Sequence, residues 1–190
     1  MPLFKSMPLL EVKNISKKYG ATIALNNCNI SINESEIHVL IGSNGSGKST
    51  LCKIISGSVQ ADKGEIFIEN KKTVIKNPID SKNLGISTFY QELSIANHAS
   101  VEENVFMNNL PSKYFFLINR KKLRSSALQF YDLFKNVAGE DFILSTPVNQ
   151  LREDQRQIVE IMKVLASNTK IMIFDEPTSA LDKAQVECFF

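Results

Sequence analysis

The sequence predicts an α/β fold with an antiparallel β subdomain and an inserted, all-helical subdomain near residues 95–150. Three observations predict it. A glycine-rich loop at 42–50 joins an apolar run to a helix-compatible one. Apolar and polar residues alternate within 9–32 and again near 64–70, the period of half-buried strands. From residue 100 to 166 the apolar spacing changes to three and four, and a four-residue apolar run returns at 171–174.

Taken in order, Leu9 to Asn14 is expected as a strand, and Ile23-Ala24-Leu25 and Cys28 to Ile32 continue an antiparallel pattern. Ile37-His38-Val39-Leu40-Ile41 is expected as a buried strand, and Leu51 to Ile55 as the first turns of a helix. Gly64 to Asn70 is a further strand that closes in a polar turn. Asn77-Pro78 stops the chain and starts a short helix through Lys82. Gly85 to Tyr90 is a short buried strand ending at Gln91. Ser100-Val101-Glu102-Glu103 is a capping box: the serine accepts from the third amide and the glutamate reaches back. Asn119 to Val137 and Gln155 to Ala166 are helices, the second with Ile158, Ile161, Met162 and Leu165 on one core-packing face. Ile171 to Phe174 is a strand, and Lys183 to Phe190 opens a helix.

At 190 residues the chain is long enough to bury a sizeable core in one domain. The net charge of +2 is too small to argue for a nucleic-acid partner. No apolar stretch approaches the roughly 20 residues that span a bilayer, and Met1-Pro2-Leu3-Phe4-Lys5 does not read as a secretory signal. Cys28, Cys52 and Cys188 are scattered, with neither metal-ligand spacing nor a disulfide framework, which suits a reducing cytosol. His38 and His98 are expected to be structural.

Gly42-Ser43-Asn44-Gly45-Ser46-Gly47-Lys48-Ser49-Thr50 fits G-x-x-x-x-G-K-[ST] without a mismatch, at the strand-to-helix junction where that motif works. Glycines let the backbone curl so that N–H groups converge on phosphate oxygens, and the helix N-terminus adds unpaired N–H groups and partial positive charge. This is the Walker A loop of a P-loop NTPase core. Lys48 is expected to reach the β- and γ-phosphates and the Ser49 hydroxyl to ligate Mg²⁺. Asp175-Glu176, directly after four apolar residues, has the form of a Walker B motif. Asp175 is expected beside the Mg²⁺, and Glu176 where a carboxylate orients or deprotonates an attacking water.

Walker A, then Tyr90-Gln91-Glu92-Leu93, then Asp175-Glu176-Pro177-Thr178-Ser179-Ala180-Leu181-Asp182, together resemble the nucleotide-binding domain of an ATP-binding cassette (ABC) protein, from about Leu9 to the last residue. Tyr90 to Leu93, Ser100 to Phe106 and Gln157 to Ile161 look most like the N-terminal cassette of simple-sugar importer ATPases of the ribose, galactose and autoinducer type, whose polypeptide usually carries two cassettes. The resemblance implies one nucleotide-binding domain over 1–190, C-terminally incomplete, with ATP and Mg²⁺ as ligands. Hydrolysis of ATP to ADP and phosphate would energise a membrane permease from the cytoplasmic face, with a periplasmic or extracellular solute-binding protein as an indirect partner. It implies that Tyr19 stacks on adenine and that Gln91 touches Mg²⁺ or the attacking water and couples to the permease. Asp182 would face the partner cassette. Two alternatives stay open: an ATP-binding module without turnover, and a soluble ABC ATPase with no permease.

Two features depart from the pattern. Where the family has Leu-Ser-Gly-Gly-Gln, this chain has Leu151-Arg152-Glu153-Asp154-Gln155. In the family that serine and the glycine amides bind the γ-phosphate held by the opposite cassette. A carboxylate there repels phosphate by roughly 4 kcal/mol per charge pair at about 4 Å and an effective dielectric near 20. Arg152 is expected to offset part of this as a phosphate ligand, giving one competent and one weaker composite site. The family's switch histidine also has no counterpart before Phe190, so hydrolysis by the isolated chain is doubtful.

Overall fold

The computed structural model describes residues 7–89, 94–113 and 117–190. They divide into two compact units: residues 7–87 with 169–173, and residues 88–168 with 174–190.

The first unit is built on strands β1 (Leu10–Tyr19) and β2 (Thr22–Ile32). They pair antiparallel, with Leu10 opposite Ile32 and Val12 opposite Ile30. After helix α1 (Lys48–Ile55), strands β3 (Lys63–Ile68) and β4 (Lys71–Thr73) complete an antiparallel sheet of order β2-β1-β3-β4. Leu10, Val12 and Ile15 all point into the core. The step from 12 to 15 is odd, so strict alternation would turn Ile15 outward. A bulge at this point, with Asn14 at φ 52°, restores the inward face. Opposite the bulge stands Gly64 at φ 101°, where a Cβ would lie 2.6 Å from the carbonyl oxygens of Lys13 and Asn14. Helix α2 (Pro78–Asn83) is capped by Asn77, whose Oδ1 accepts from the amides of Ile79 and Asp80. Strand β5 (Ile86–Phe89) follows. Leu51, Ile54 and Ile55 of α1 pack with Leu10, Val12, Ile66 and Ile68 in this unit's core.

The second unit holds helix α3 (Val101–Val105), a hairpin of strands β6 (Ser112–Lys113) and β7 (Leu117–Ile118), helix α4 (Arg120–Ala138) and helix α5 (Glu153–Leu165). Strand β8 (Ile171–Phe174), whose residues 171–173 belong to the first unit and pair there with β5, leads to the loop before helix α6 (Lys183–Phe189). The Ser100 capping box forms as expected, and Asn119 caps α4 by accepting from the Lys122 amide. The core gathers Val101, Ala127, Phe134, Phe142, Ile158 and Ile161, with Phe89 and Phe174 in ring contact at 6.1 Å.

Two expectations need correction. Residues 37–41 do not form a buried strand. They are irregular, with Ile37 93% and Ile41 90% exposed. A strand exists only through its ladder, and no described strand pairs with this segment, so its apolar character alone does not make one. The region 95–150 is also not all-helical, because the β6–β7 hairpin lies inside it.

Candidate nucleotide site

The phosphate loop belongs to the first unit. The amide of Ser46 donates to the Ser43 carbonyl at 3.1 Å, closing a turn, and the Leu51 amide donates to the Gly47 carbonyl at 2.9 Å, opening α1. Gly47 stands at φ 94°, and no side-chain cap closes the start of the helix. A Cβ on Gly47 would run into the Ala24 carbonyl oxygen and lie 2.7 Å from Leu25 Cδ2. Lys48 Nζ donates to the carbonyls of Gly42 at 2.7 Å and Ser43 at 3.0 Å, so the ammonium is drawn back over its own loop. Ser49 and Thr50 occupy the first turn of α1, and residues 42–46, including Asn44 and Gly45, are exposed. Tyr19, in the same unit, ends β1 and is 46% exposed, with Lys17 Nζ 5.6 Å from its ring centroid. Gln91 and Tyr90 lie outside the described residues.

The acidic pair belongs to the second unit and follows β8 directly. Asp175 is half-buried and Glu176 is exposed. Glu176 has φ 53°, in the left-handed region that costs an L-residue about 1 kcal/mol. The next residue is Pro177, and a residue before proline favours extended backbone, so this conformation is disfavoured twice. The loop is tied to α5 by Gln157, whose Nε2 donates to the Pro177 carbonyl at 2.7 Å while its Oε1 accepts from the Ala180 amide at 2.8 Å. Asp182 caps α6 by accepting from the Gln185 amide at 2.9 Å.

The start of α5 is a dense polar network. Arg152 Nη1 donates to both carboxylate oxygens of Asp141, at 3.0 and 2.9 Å. Its Nε and Nη2 reach Asp154, each at 3.2 Å. Gln185 Nε2 donates to Asp154 Oδ2 at 2.8 Å, and Gln155 Nε2 to the Ala138 carbonyl at 2.9 Å. Hydrogen bonding from Arg152 holds the Asp141 carboxyl below its ordinary range. Burial works to raise Asp154, but the bonds from Gln185 and Arg152 together outweigh it and leave that carboxyl lowered as well. Both groups have depressed values in the folded chain, so their contribution is complete at neutral pH and fades only as pH falls below about 3.9. An open cleft of about 550 Å³ lies beside this network, with Arg152, Asp154, Ser179 and Asp182 among its walls.

A family profile described as ABC transporter matches residues 25–179. The chain belongs to the ABC transporter family. It is 40% identical over 184 residues to the arabinose import ATP-binding protein AraG of Pectobacterium atrosepticum, covering 96% of this chain and 35% of that protein. It is 39% identical over 173 residues to the ribose import ATP-binding protein RbsA 3 of Rhizobium meliloti, covering 91% of this chain and 33% of that protein. This ABC chain therefore spans about a third of the length of these curated relatives. Among solved structures, a nucleotide-free ATP-binding cassette from an ABC transporter superposes with a TM-score of 0.78 at 26% identity, over 96% of this chain and 74% of that one. The dimeric structure of a bacterial ABC transporter cassette gives 0.77 at 29%, over 95% and 79%. The fold is that of an ABC ATPase cassette.

In this cassette the expectation for Arg152 changes. Its guanidinium donors are engaged by Asp141, Asp154 and the Ala138 carbonyl, so it neutralises its own acids. Sequence reasoning placed Gln155 in the signature segment and Gln157 in a family-like run, but gave neither of them, nor Gln185 or Asp141, a role in this network.

Proposed function

We propose that this chain is an ATP-binding and ATP-hydrolysing cassette that energises import of a simple sugar or related small solute through a membrane permease. The observation that carries the reading is the 40% identity to an arabinose import ATP-binding protein across 96% of the chain. The permease, a second cassette and, indirectly, a solute-binding protein are its partners, and its place is the cytoplasmic face of the membrane. Among the described residues no helix is long and apolar enough to cross a membrane, which suits a peripheral subunit.

The residues fit a nucleotide. The glycine at 47 lets the loop pass close against Ala24 and Leu25 as it enters α1, and the N-terminus of that helix, with no side-chain cap, favours anions. Lys48 would neutralise the terminal phosphates, moving from the carbonyls it now holds. Tyr19 would stack on adenine. The hydroxyl of Ser49 in the first unit, the carboxylate of Asp175 in the second and the amide oxygen of Gln91 are each oxygen donors of the kind Mg²⁺ takes. An ion held there would supply positive charge against the charge that develops on the phosphates. Glu176 would orient the attacking water and accept its proton.

Lys48→Ala tests the reading. A hydrogen bond to a charged group contributes about 1.5–3 kcal/mol, so ATP affinity is expected to fall on the order of ten- to a hundredfold. Calorimetric titration with ATP reads this, and an unchanged affinity would remove the nucleotide site and the transport reading with it. Uptake by cells carrying the same variant separates transport from a soluble ATPase or a silent binding module.

The α5 start bears on asymmetry between the two composite sites of a cassette pair. The carboxylate of Asp154 is held at this helix end by Gln185 and Arg152. The double change Arg152→Ser with Asp154→Gly is expected to raise turnover at the site this surface completes. Per-site turnover measured by single-turnover phosphate release decides it, and no increase counts against the asymmetry.

A further inference from the structure

We infer that Gln157 is a positioning residue that sets the backbone of Glu176. The inference rests on the reading of Glu176 as the carboxylate that orients water.

Gln157 lies in the first half of α5 and is 4% exposed. Its neighbours Ile158, Val159 and Ile161 are fully buried, so the helix beneath it is fixed by the core. Its amide grips the following loop at two points: it donates to the Pro177 carbonyl and accepts from the Ala180 amide. A third, longer contact of 3.3 Å reaches the Ser179 hydroxyl. The orientation of the amide is set by these partners. Pro177 offers only an acceptor and the Ala180 amide only a donor, so a flipped Gln157 would face like against like at both ends.

Glu176 needs such a constraint. It has a positive φ immediately before a proline, a backbone state that a free loop would leave. Pro177 has no N–H, so its carbonyl is the one backbone polar group by which it can be held. Gln157 holds that group. Strained backbone next to reacting groups persists only where the surroundings over-determine it, and the buried amide of Gln157 adds to the constraints that β8 and the Asp182 cap place on the loop ends. Loss of the clamp would let residues 176–180 relax toward extended backbone and carry the Glu176 carboxylate away from its working direction. Nucleotide binding, built on the loop at 42–50, does not depend on it.

Gln157→Met in the full-length protein keeps the side chain's length and unbranched shape and removes both bonds. The expected result is a fall in kcat of at least tenfold, with KM for ATP and ATP affinity within twofold. A kcat within twofold of the parent overturns the inference. Gln157→Glu keeps the acceptor for Ala180 and loses the donor to Pro177, and it decides the matter in the same way if the methionine variant does not fold. Hydrogen exchange in the unmodified protein gives a third reading: the Ala180 amide is expected to be protected, and exchange at the rate of an unstructured amide overturns the clamp. Glu176→Gln in the same assay separates the two ideas. If it retains turnover, the reading of Glu176 fails. If it loses turnover while Gln157→Met does not, the positioning role alone fails.

Discussion

Glu176→Gln is expected to lower ATP turnover by about 10²–10⁴-fold, the range a positioned general base contributes, while ATP affinity stays within twofold. The amide is nearly isosteric with the carboxylate and keeps an oxygen for a hydrogen bond, but it cannot take a proton from water. Glu176 is exposed and extends from a loop whose ends are fixed by β8 and by the Asp182 cap of α6. The substitution therefore disturbs no packing, and the melting temperature is expected to be unchanged. Steady-state phosphate release beside equilibrium nucleotide titration gives both numbers. Turnover at the parent's rate would assign the water-orienting role elsewhere, with Asp175 the neighbouring carboxylate.

Gly47→Ala is expected to cost about 2–6 kcal/mol of stability in the first unit. The sum combines backbone strain of about 1–3 kcal/mol with overpacking of about 1–3 kcal/mol. Both contributions are set by the geometry. Gly47 sits at φ 94°, and the added methyl meets the Ala24 carbonyl and Leu25 Cδ2. Neither neighbour yields easily, because both belong to β2 and Leu25 is part of the buried core. The start of α1 must move instead, and nucleotide binding should fall with it. Gly45→Ala is the control. Gly45 has φ 81°, but an added methyl would meet nothing within 4 Å, so only strain of about 1 kcal/mol is expected. Thermal melts of the two variants make the comparison. Equal melting temperatures would mean that Gly47 is not enclosed by β2 as the structure has it.

Much of this was legible in the chain itself because it is local. The phosphate loop is a contiguous run of nine residues whose spacing alone dictates a glycine turn, a lysine and a helix start. The Ser100 capping box is equally local and forms as read, and Asn77 and Asn119, at the starts of two expected helices, cap them over two to three residues. The bulge at Asn14 was not legible, since alternation breaks there only when the register with β2 and β3 is known. The β6–β7 hairpin was missed because its strands are two residues each, too short for a period to register. Residues 37–41 show the opposite failure. Their composition is that of a buried strand, yet Ile37 and Ile41 are exposed, because burial needs a partner strand and apolarity does not supply one.

Order along the chain was enough to specify the α/β class, the phosphate loop, the acidic pair and the family resemblance, because each depends on residues close together in sequence. The use made of α5 emerges only when the chain is folded. Gln155, Gln157 and Gln185 are buried, and the Nε2 groups of all three donate to carbonyls and carboxylates lying between 14 and 48 residues away. A buried amide must find such partners or lose the free energy of its water. Which distant carbonyls and carboxylates it finds is a property of packed helices and loops, and no spacing along one helix specifies them.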